Sequence, residues 1–280
     1  MNVSEFFSYA RKKLSNISER EVDFEVKILL EKYLNFNDID FILNKHKPIN
    51  DLDMNNLKKA IDLRLNGMPI QYIIGNWDFM DISLKVGEGV LIPREDTRVL
   101  VDMLSSKLKK TSHKIIDICS GSGCIALSIE KLHPNTLDIY ALEKSPIAYE
   151  YLLENIRNLN STVKAINKDL LTAHKCFDDN FFDFIVSNPP YIKTSDLKHL
   201  QTEVLHEPQM ALDGGENGLI FYENICKLWT PKLKSGGTIL FEIGKGQFEE
   251  VREIMIMSGI KNIEFKRDIN GIIRCISGTR

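Results

Sequence analysis

The stretch KIIDICSGSGCIALSIEKL, residues 114–132, decides the fold class of this 280-residue chain. It opens with the apolar run KIIDI, which is typical of a buried strand, and ends with CIALSIEKL, which has the length and composition of a helix. Between them lies a turn with Gly121 and Gly123. A strand that passes through a glycine turn directly into a helix is the repeating step of an α/β domain.

Further steps of the same kind follow along the chain. Strand-like runs occur at 138–142, 162–166, 182–187 and 237–243, with helical segments at 145–159 and around 218–233. This alternation predicts a mostly parallel, doubly wound, Rossmann-like sheet. The tail NIEFKRDINGIIRCIS, residues 262–277, has two strand-like runs joined at Asn270-Gly271. Because Asn-Gly is a hairpin signal, we expect an antiparallel last strand.

The residues before this region divide into two segments. Residues 1–71 are predicted to form a small helical domain, with helices that begin at candidate caps Ser18 and Asp53 and a stop at Gly67. The glycine-broken runs of residues 72–92 predict a β-hairpin linker. The α/β domain then occupies residues 93–280. The helical domain carries no recognisable chemistry, so we expect it to serve in packing or docking.

Composition and charge exclude several classes of protein. A net charge of −3 and a pI of about 6.1 lack the basic excess of nucleic-acid-binding proteins, so no direct nucleic-acid partner is expected. No apolar run approaches the roughly 20 residues that span a bilayer, and the amphipathic start MNVSEFFSYARKKL lacks a signal-peptide core. Five scattered cysteines fit a reducing compartment. The expected protein is cytoplasmic, without membrane contact, and has no metal-ligand spacing.

The glycine loop is suited to more than one cofactor. Residues 121–126 fit the G-x-G-x-x-G/A pattern of nicotinamide dinucleotide loops, and a purely structural turn is a further alternative. Asp117 favours S-adenosylmethionine instead, because an acid before the loop would attract its cationic amino end and repel a pyrophosphate. Glu143 follows the second strand, where an acid can accept hydrogen bonds from ribose hydroxyls. Asp169 is a candidate partner for the adenine amine, although a surface-turn acid has the same pattern.

The fourth strand ends in an unusual corner, Asn188-Pro189-Pro190-Tyr191. The nitrogen of an amide or aromatic amine is a poor nucleophile, because its lone pair is delocalised. The side-chain oxygen of Asn188 and the backbone carbonyl of Pro189 could accept its two N–H hydrogens and direct the lone pair at a methyl group. Two prolines stiffen the turn and add no competing donors. Tyr191 offers a ring face to a planar group.

Taken together, these motifs resemble the bacterial N5-glutamine methyltransferases that modify class-1 peptide chain release factors. The similarity covers nearly the whole chain. It includes the stretches GMPIQYIIGNWDF (67–79), LIPREDT (91–97), DICSGSGCIALSI (117–129), ALEKSP (141–146), IVSNPPYI (185–192), HEPQMALDGGENGL (206–219) and RDINGIIR (267–274). The NPPY motif alone is shared with many amino-methylating enzymes, whereas its combination with PxxYIxG and LIPRxDT is far more specific.

The resemblance implies a seven-stranded class I methyltransferase sheet with a reversed last strand, S-adenosyl-L-methionine as cofactor and S-adenosyl-L-homocysteine as product. It also implies methylation of the glutamine in the Gly-Gly-Gln tip of release factors by a monomeric enzyme. The implied catalytic residues are Asn188, Pro189 and Tyr191, and Pro190 joins them in binding the substrate. The implied cofactor-binding residues are Asp117, Cys119, Ser120, Gly121, Ser122, Gly123, Glu143, Asp169, Leu170 and Asn188.

This sequence departs from the family pattern at four positions. Cys119 stands where the family often has glycine, Glu95 where it has proline and Arg98 where it has glutamate. Leu170 occupies a position that can be aromatic, so contact with adenine would become apolar packing.

Three other functions remain open at this point. A close relative of the family methylates a glutamine of a ribosomal protein, and NPPY does not separate the two substrates. Adenine N6-methylation of nucleic acid uses the same acceptor geometry. A non-catalytic protein that binds the cofactor is a third alternative.

Overall fold

A computed structural model describes residues 1–15, 17, 19–109 and 112–280, without the side chain of residue 38. The candidate cap Ser18 lies outside the described residues. Contacts divide the chain into two compact units. One contains residues 1–76 and 201–206, and the other contains residues 77–200 and 207–280.

The first unit is helical. Its helices are α1 (Val3–Lys13), α2 (Glu19–Leu34), α3 (Asp38–Leu43), α4 (Asp51–Leu65) and α5 (Ile70–Ile74). The prediction that Asp53 caps α4 is wrong: the Asn50 side chain accepts from the backbone N–H of Asp53, which lies within the first turn. The helix ends at Leu65, and Gly67 follows with φ of 86°, as expected for a helix stop.

A buried ion pair joins the helices of this unit. Arg64 Nε donates to both carboxylate oxygens of Glu25 at 2.9 Å. Its Nη1 pairs with Glu203 at 2.9 Å, so the segment 201–206 belongs to the helical unit despite its distance in sequence. Because both Arg64 and Glu25 are buried, loss of one partner would leave an uncompensated charge inside the unit.

The second unit is built on a seven-stranded sheet, preceded by the two-stranded sheet of β1 (Asn76–Phe79) and β2 (Ile82–Lys85). The seven strands are β3 (His113–Ile118), β4 (Leu137–Glu143), β5 (Lys164–Asn167), β6 (Phe182–Ser187), β7 (Leu233–Glu242), β8 (Lys261–Arg267) and β9 (Ile273–Thr279). The helices are α6 (Arg98–Lys107), α7 (Cys124–Leu132), α8 (Pro146–Asn158), α9 (Leu170–Ala173), α10 (Ile220–Trp229) and α11 (Phe248–Met257).

The strand order is β5-β4-β3-β6-β7-β9-β8. The first five strands in this order pair in parallel with their neighbours, whereas β9 pairs antiparallel with both β7 and β8. The predicted fold class, a mostly parallel α/β sheet with an antiparallel last strand, is therefore confirmed. The hairpin expected at Asn270-Gly271 joins β8 to β9, with Gly271 at φ of 78°.

Alternation along the central strand builds a core on each face of the sheet. Ile115 packs into one apolar cluster with α6 and α7, while Ile116 and Ile118 pack into the other with α10 and α11. The two cores fix the sheet rigidly on both faces. The carboxyl ends of β3, β4 and β6 lie side by side in the sheet, and the loops that follow these strands project from the same edge.

Candidate active site

A cavity of about 420 Å³ lies at the carboxyl ends of β3, β4 and β6 within the sheet unit. Open α/β sheets bind ligands at this edge, where the strand order reverses. The cavity brings together most of the residues predicted from sequence: Cys119, Ser120, Gly121, Ser122, Glu143, Asp169, Leu170, Asn188 and Pro190. Asp117, Gly123, Pro189 and Tyr191 are absent from this lining of described residues, and each lies within two positions of a lining residue in the chain.

In the glycine loop between β3 and α7, every second residue from position 119 to position 123 has a positive φ. Cys119, Gly121 and Gly123 have φ of 62°, 55° and 85°. A Cβ on Gly123 would lie 2.6 Å from Leu152 Cδ1, so close packing against α8 also requires glycine there. A side chain in the left-handed region costs roughly 1–2 kcal/mol, which explains why a loop of this shape favours glycine where this chain has Cys119.

Glu143 connects the loop to the next strand. Its carboxylate accepts from the backbone N–H of Gly121 at 2.8 Å and of Ser145 at 2.7 Å. Burial raises its pKa, against the effect of these two N–H groups. Because a carboxylate has about four acceptor positions, Glu143 can hold the loop and still accept from ligand hydroxyls in the cavity.

Asp117 lies below the loop and is fully buried. Neither of its oxygens has a hydrogen bond of normal geometry to another described residue. Burial raises its pKa well above the usual range, opposed by the backbone of Ala126 and reinforced by the charge of Glu143. A buried acid without a cationic partner is stabilised by a ligand cation, and an ammonium or sulfonium group fits this requirement better than a pyrophosphate.

Asp169 has a structural role in addition to its position on the cavity. It caps the short helix α9 by accepting from Leu171 N–H at 2.9 Å, and its other oxygen pairs with Lys144 at 2.8 Å. The adjacent Leu170 is buried and lines the cavity. Together they present one polar and one apolar surface to a planar ligand.

The corner at residues 188–191 is held by Thr97, which immediately precedes α6, and by Glu242 on the neighbouring strand β7. Asn188 Nδ2 donates to Thr97 Oγ1 at 3.2 Å, and the Tyr191 hydroxyl donates to Glu242 Oε1 at 3.4 Å. Burial raises the pKa of Tyr191, so this phenol stays protonated. A Cβ on Gly214 would meet the Tyr191 Cα at 2.7 Å and the Pro190 carbonyl oxygen at 2.9 Å. The corner is thus packed against backbone on its other side.

Sequence reasoning missed four polar residues around this site. Arg94 and Thr97 line the cavity, and they come from the LIPREDT segment, to which no role was assigned. Glu207 is buried, pairs with Arg94 and accepts from Ile92 N–H at 3.0 Å. Glu242 is the last residue of β7, and its position at the carboxyl end of an apolar strand was the one signal that could have found it.

The described residues contain neither a metal-binding cluster nor a membrane-spanning helix. No group of histidine, cysteine, aspartate and glutamate among them could hold a metal ion. Across the same residues, no helix has the length and apolar character needed to cross a membrane.

Two protein-family models match the chain. The model described as PrmC N-terminal domain matches residues 5–75, and the one described as Methyltransferase small domain matches residues 95–225. A release factor glutamine methyltransferase of Clostridium botulinum is 37% identical over 97% of this chain and 96% of its own length. That of Thermodesulfovibrio yellowstonii is 41% identical over 78% of each chain.

The chain belongs to the release factor glutamine methyltransferase family. Membership confirms the predicted resemblance, the methyltransferase activity and S-adenosylmethionine as the cofactor class. A solved structure, the hMettl16 catalytic domain in complex with the MAT2A 3′UTR hairpin 6, has a TM-score of 0.57 and 16% identity, and the similarity covers 82% of both chains. At this level of identity, the similarity supports the fold of this chain and carries no information about its substrate.

Proposed function

We propose that this chain transfers a methyl group to the side-chain amide nitrogen (N5) of the glutamine in the Gly-Gly-Gln motif of class-1 peptide chain release factors. The observation that carries the proposal is that Asn188 and the glycine loop with Glu143 border one cavity. A methyl donor and an amide can therefore meet there. The names of the 37% and 41% identical relatives support the release factor as the protein substrate.

The cofactor occupies the side of the cavity formed by the loops after β3, β4 and β5. S-adenosylmethionine supplies an electrophilic methyl group on a sulfonium. The backbone of residues 119–123 would approach it, Glu143 would accept from the ribose hydroxyls, and Asp169 and Leu170 would border the adenine. The buried carboxyl of Asp117, which has no hydrogen-bond partner among the described residues, would be ionised by and would pair with the cationic end of the methionine part.

The corner at residues 188–191 binds the acceptor amide. Asn188 Oδ1 and the Pro189 carbonyl accept the two N–H hydrogens, and both hydrogen bonds strengthen as the nitrogen becomes positive in the transition state. Pro190 contributes a wall of the cavity, and Tyr191 packs against the amide plane. The N-methylated nitrogen is strongly acidic and releases its extra proton to water, so the residues need only orient the amide and not deprotonate it beforehand.

In this proposal the N-terminal helical domain, residues 1–71, docks the protein substrate, while residues 93–280 carry out the reaction. This division gives the release factor a contact outside the cavity and needs no nucleic-acid partner. We infer a monomeric enzyme that acts in the cytoplasm.

The decisive experiment is a mass spectrum of the release-factor tip peptide after incubation with the enzyme and cofactor. One added methyl group on the motif glutamine is expected, and a release factor with alanine in place of that glutamine should stay unmodified. Parallel reactions contain ribosomal protein or DNA with tritiated cofactor. Label on either of these, with none on the release factor, would contradict the proposed substrate.

The Asn188→Ala variant tests the proposed chemistry. We expect turnover to fall roughly 100-fold or more with cofactor binding nearly intact, because one preorganised polar group is lost. Turnover equal to that of the parent would remove Asn188 from the mechanism.

A further inference from the structure

A series of buried polar groups lies behind the Asn188 side chain. Asn188 Nδ2 donates to Thr97 Oγ1 at 3.2 Å, and the Thr97 hydroxyl lies near enough to the carboxylate of Glu242 to oppose the rise of its pKa. Thr97 and Glu242 are each 1% exposed. The Tyr191 hydroxyl donates to the same carboxylate at 3.4 Å. One buried acid is therefore linked to both polar side chains of the 188–191 corner.

The chemistry of these groups determines the direction of each hydrogen bond. Because Asn188 Nδ2 donates to Thr97 Oγ1, the single hydroxyl proton of Thr97 points away from Asn188, and an ionised Glu242 carboxylate, which can only accept, attracts it. The Thr97 oxygen is then an acceptor, and it faces the amino group of Asn188 rather than its carbonyl. With Nδ2 committed to Thr97, Oδ1 is the atom that Asn188 can offer to a ligand. A flipped amide would bring two acceptor oxygens together.

An ion-pair cluster from the last strand fixes the segment that carries Thr97. Arg274 on β9 pairs with Asp96 at 2.8 Å and with Asp268 at 3.1 Å. Asp96 immediately precedes Thr97 in the 3-10 helix Glu95–Thr97. The guanidinium therefore holds the backbone from which the Thr97 hydroxyl projects.

We propose that Thr97 is a positioning residue for methyl transfer: its hydroxyl oxygen accepts from Asn188 Nδ2 and so orients the Asn188 side chain with Oδ1 toward the acceptor amide. This inference rests on the proposed function, specifically on Asn188 as a contact of the substrate. The orientation is set before the substrate arrives, so substrate binding does not have to turn the amide.

Protonation of Glu242 would reverse the direction in which Thr97 and Asn188 donate their hydrogen bonds. Burial is the main cause that raises the pKa of Glu242 to about 7, with the Thr97 hydrogen bond opposing it and the charge of Asp96 adding to it. A protonated carboxyl can donate to Thr97, whose own proton then turns toward Asn188 and favours the flipped amide. The titratable and charged groups that face Glu242 are Tyr191, Tyr222, Cys124, Cys275, Asp96 and Arg274. Turnover should decrease as the pH falls below about 7.

The test compares variants of the full-length enzyme with intact release factor as substrate. Thr97→Val keeps the shape and removes the hydroxyl, so kcat should fall roughly 10- to 100-fold, less than for a lost direct contact. The cofactor Kd, measured by calorimetry, should stay within about threefold, and Thr97→Ser should recover most of kcat because it restores the hydroxyl. Thr230→Val removes a comparably buried hydroxyl outside the cavity lining and is the matched control.

The pH profile supplies a second, independent measurement. In the parent, kcat at saturating substrates should titrate with a pKa near 7, and in Glu242→Gln this acid limb should disappear. A purely structural role for Glu242 would lower kcat equally at every pH.

The outcomes separate this inference from the proposed function. Full turnover of Thr97→Val, together with the loss expected for Asn188→Ala, overturns the role of Thr97 and leaves the proposed function intact. Full turnover of Asn188→Ala overturns both. If circular dichroism shows that Thr97→Val is unfolded, Glu242→Gln decides, and an acid limb identical to that of the parent refutes the inference.

Discussion

Replacing Glu242 by glutamine should remove a loss of stability that the parent suffers as the pH rises. Burial raises the pKa of Glu242 from a usual 4.5 to about 7 in the folded state. A group whose folded pKa is raised contributes stability that is present below the unfolded value and lost as the pH rises through the folded value. Between pH 5 and pH 8 this loss amounts to about 2–3 kcal/mol. Glutamine does not titrate, so the variant should gain this amount over the parent across the same interval.

Urea unfolding followed by tryptophan fluorescence measures this difference. Both tryptophans, Trp77 and Trp229, lie in the sheet unit, so the signal reports the unit that contains Glu242. Parent and variant are compared at pH 5, 6, 7 and 8 without ligand, and titrating groups that do not interact with Glu242 cancel in the difference. Glu250→Gln, at an exposed position of α11, is the control and should follow the parent at each pH.

Parallel stability profiles for the parent and Glu242→Gln would refute the reasoning. They would mean that Glu242 titrates alike in the folded and unfolded chain, and that burial does not determine its pKa. The pH dependence inferred for turnover would then lose its physical basis as well.

Three further predictions follow from the same structure. Gly214→Ala should lower kcat at least tenfold and cost roughly 1–3 kcal/mol, because its Cβ meets backbone at residues 190–191; unchanged kinetics and melting temperature would contradict the packing. Arg64→Ala should destabilise the helical unit by about 3 kcal/mol or more by leaving Glu25 buried without its partner, and limited proteolysis that stays at the parent's rate would argue against this. Glu143→Ala should weaken cofactor binding at least tenfold in calorimetry through loss of a charged acceptor, and an unchanged Kd would reassign that acid.

Local signals in the sequence were sufficient for the elements and for much of the site. The apolar runs and the glycine turn of residues 114–132 predicted a strand and a helix, which are β3 and α7. Asn270-Gly271 predicted the hairpin of the reversed last strand. Local choices between similar residues were less predictable: Asn50 and Asp53 are both good caps, and only the backbone geometry shows that Asn50 caps α4.

By itself, the sequence determined which segments form strands and helices and which loops carry the candidate cofactor and acceptor motifs, because periodicity and turn chemistry act between near neighbours. Only the tertiary structure decided which buried polar residues lie next to the 188–191 corner. Thr97 is 91 residues away in the chain, and the Tyr191–Glu242 contact spans 51 residues. These groups meet only because β6 and β7 are adjacent and β9 runs back beside β7. Strand order depends on how whole faces pack against each other, and no local pattern of residues encodes that choice.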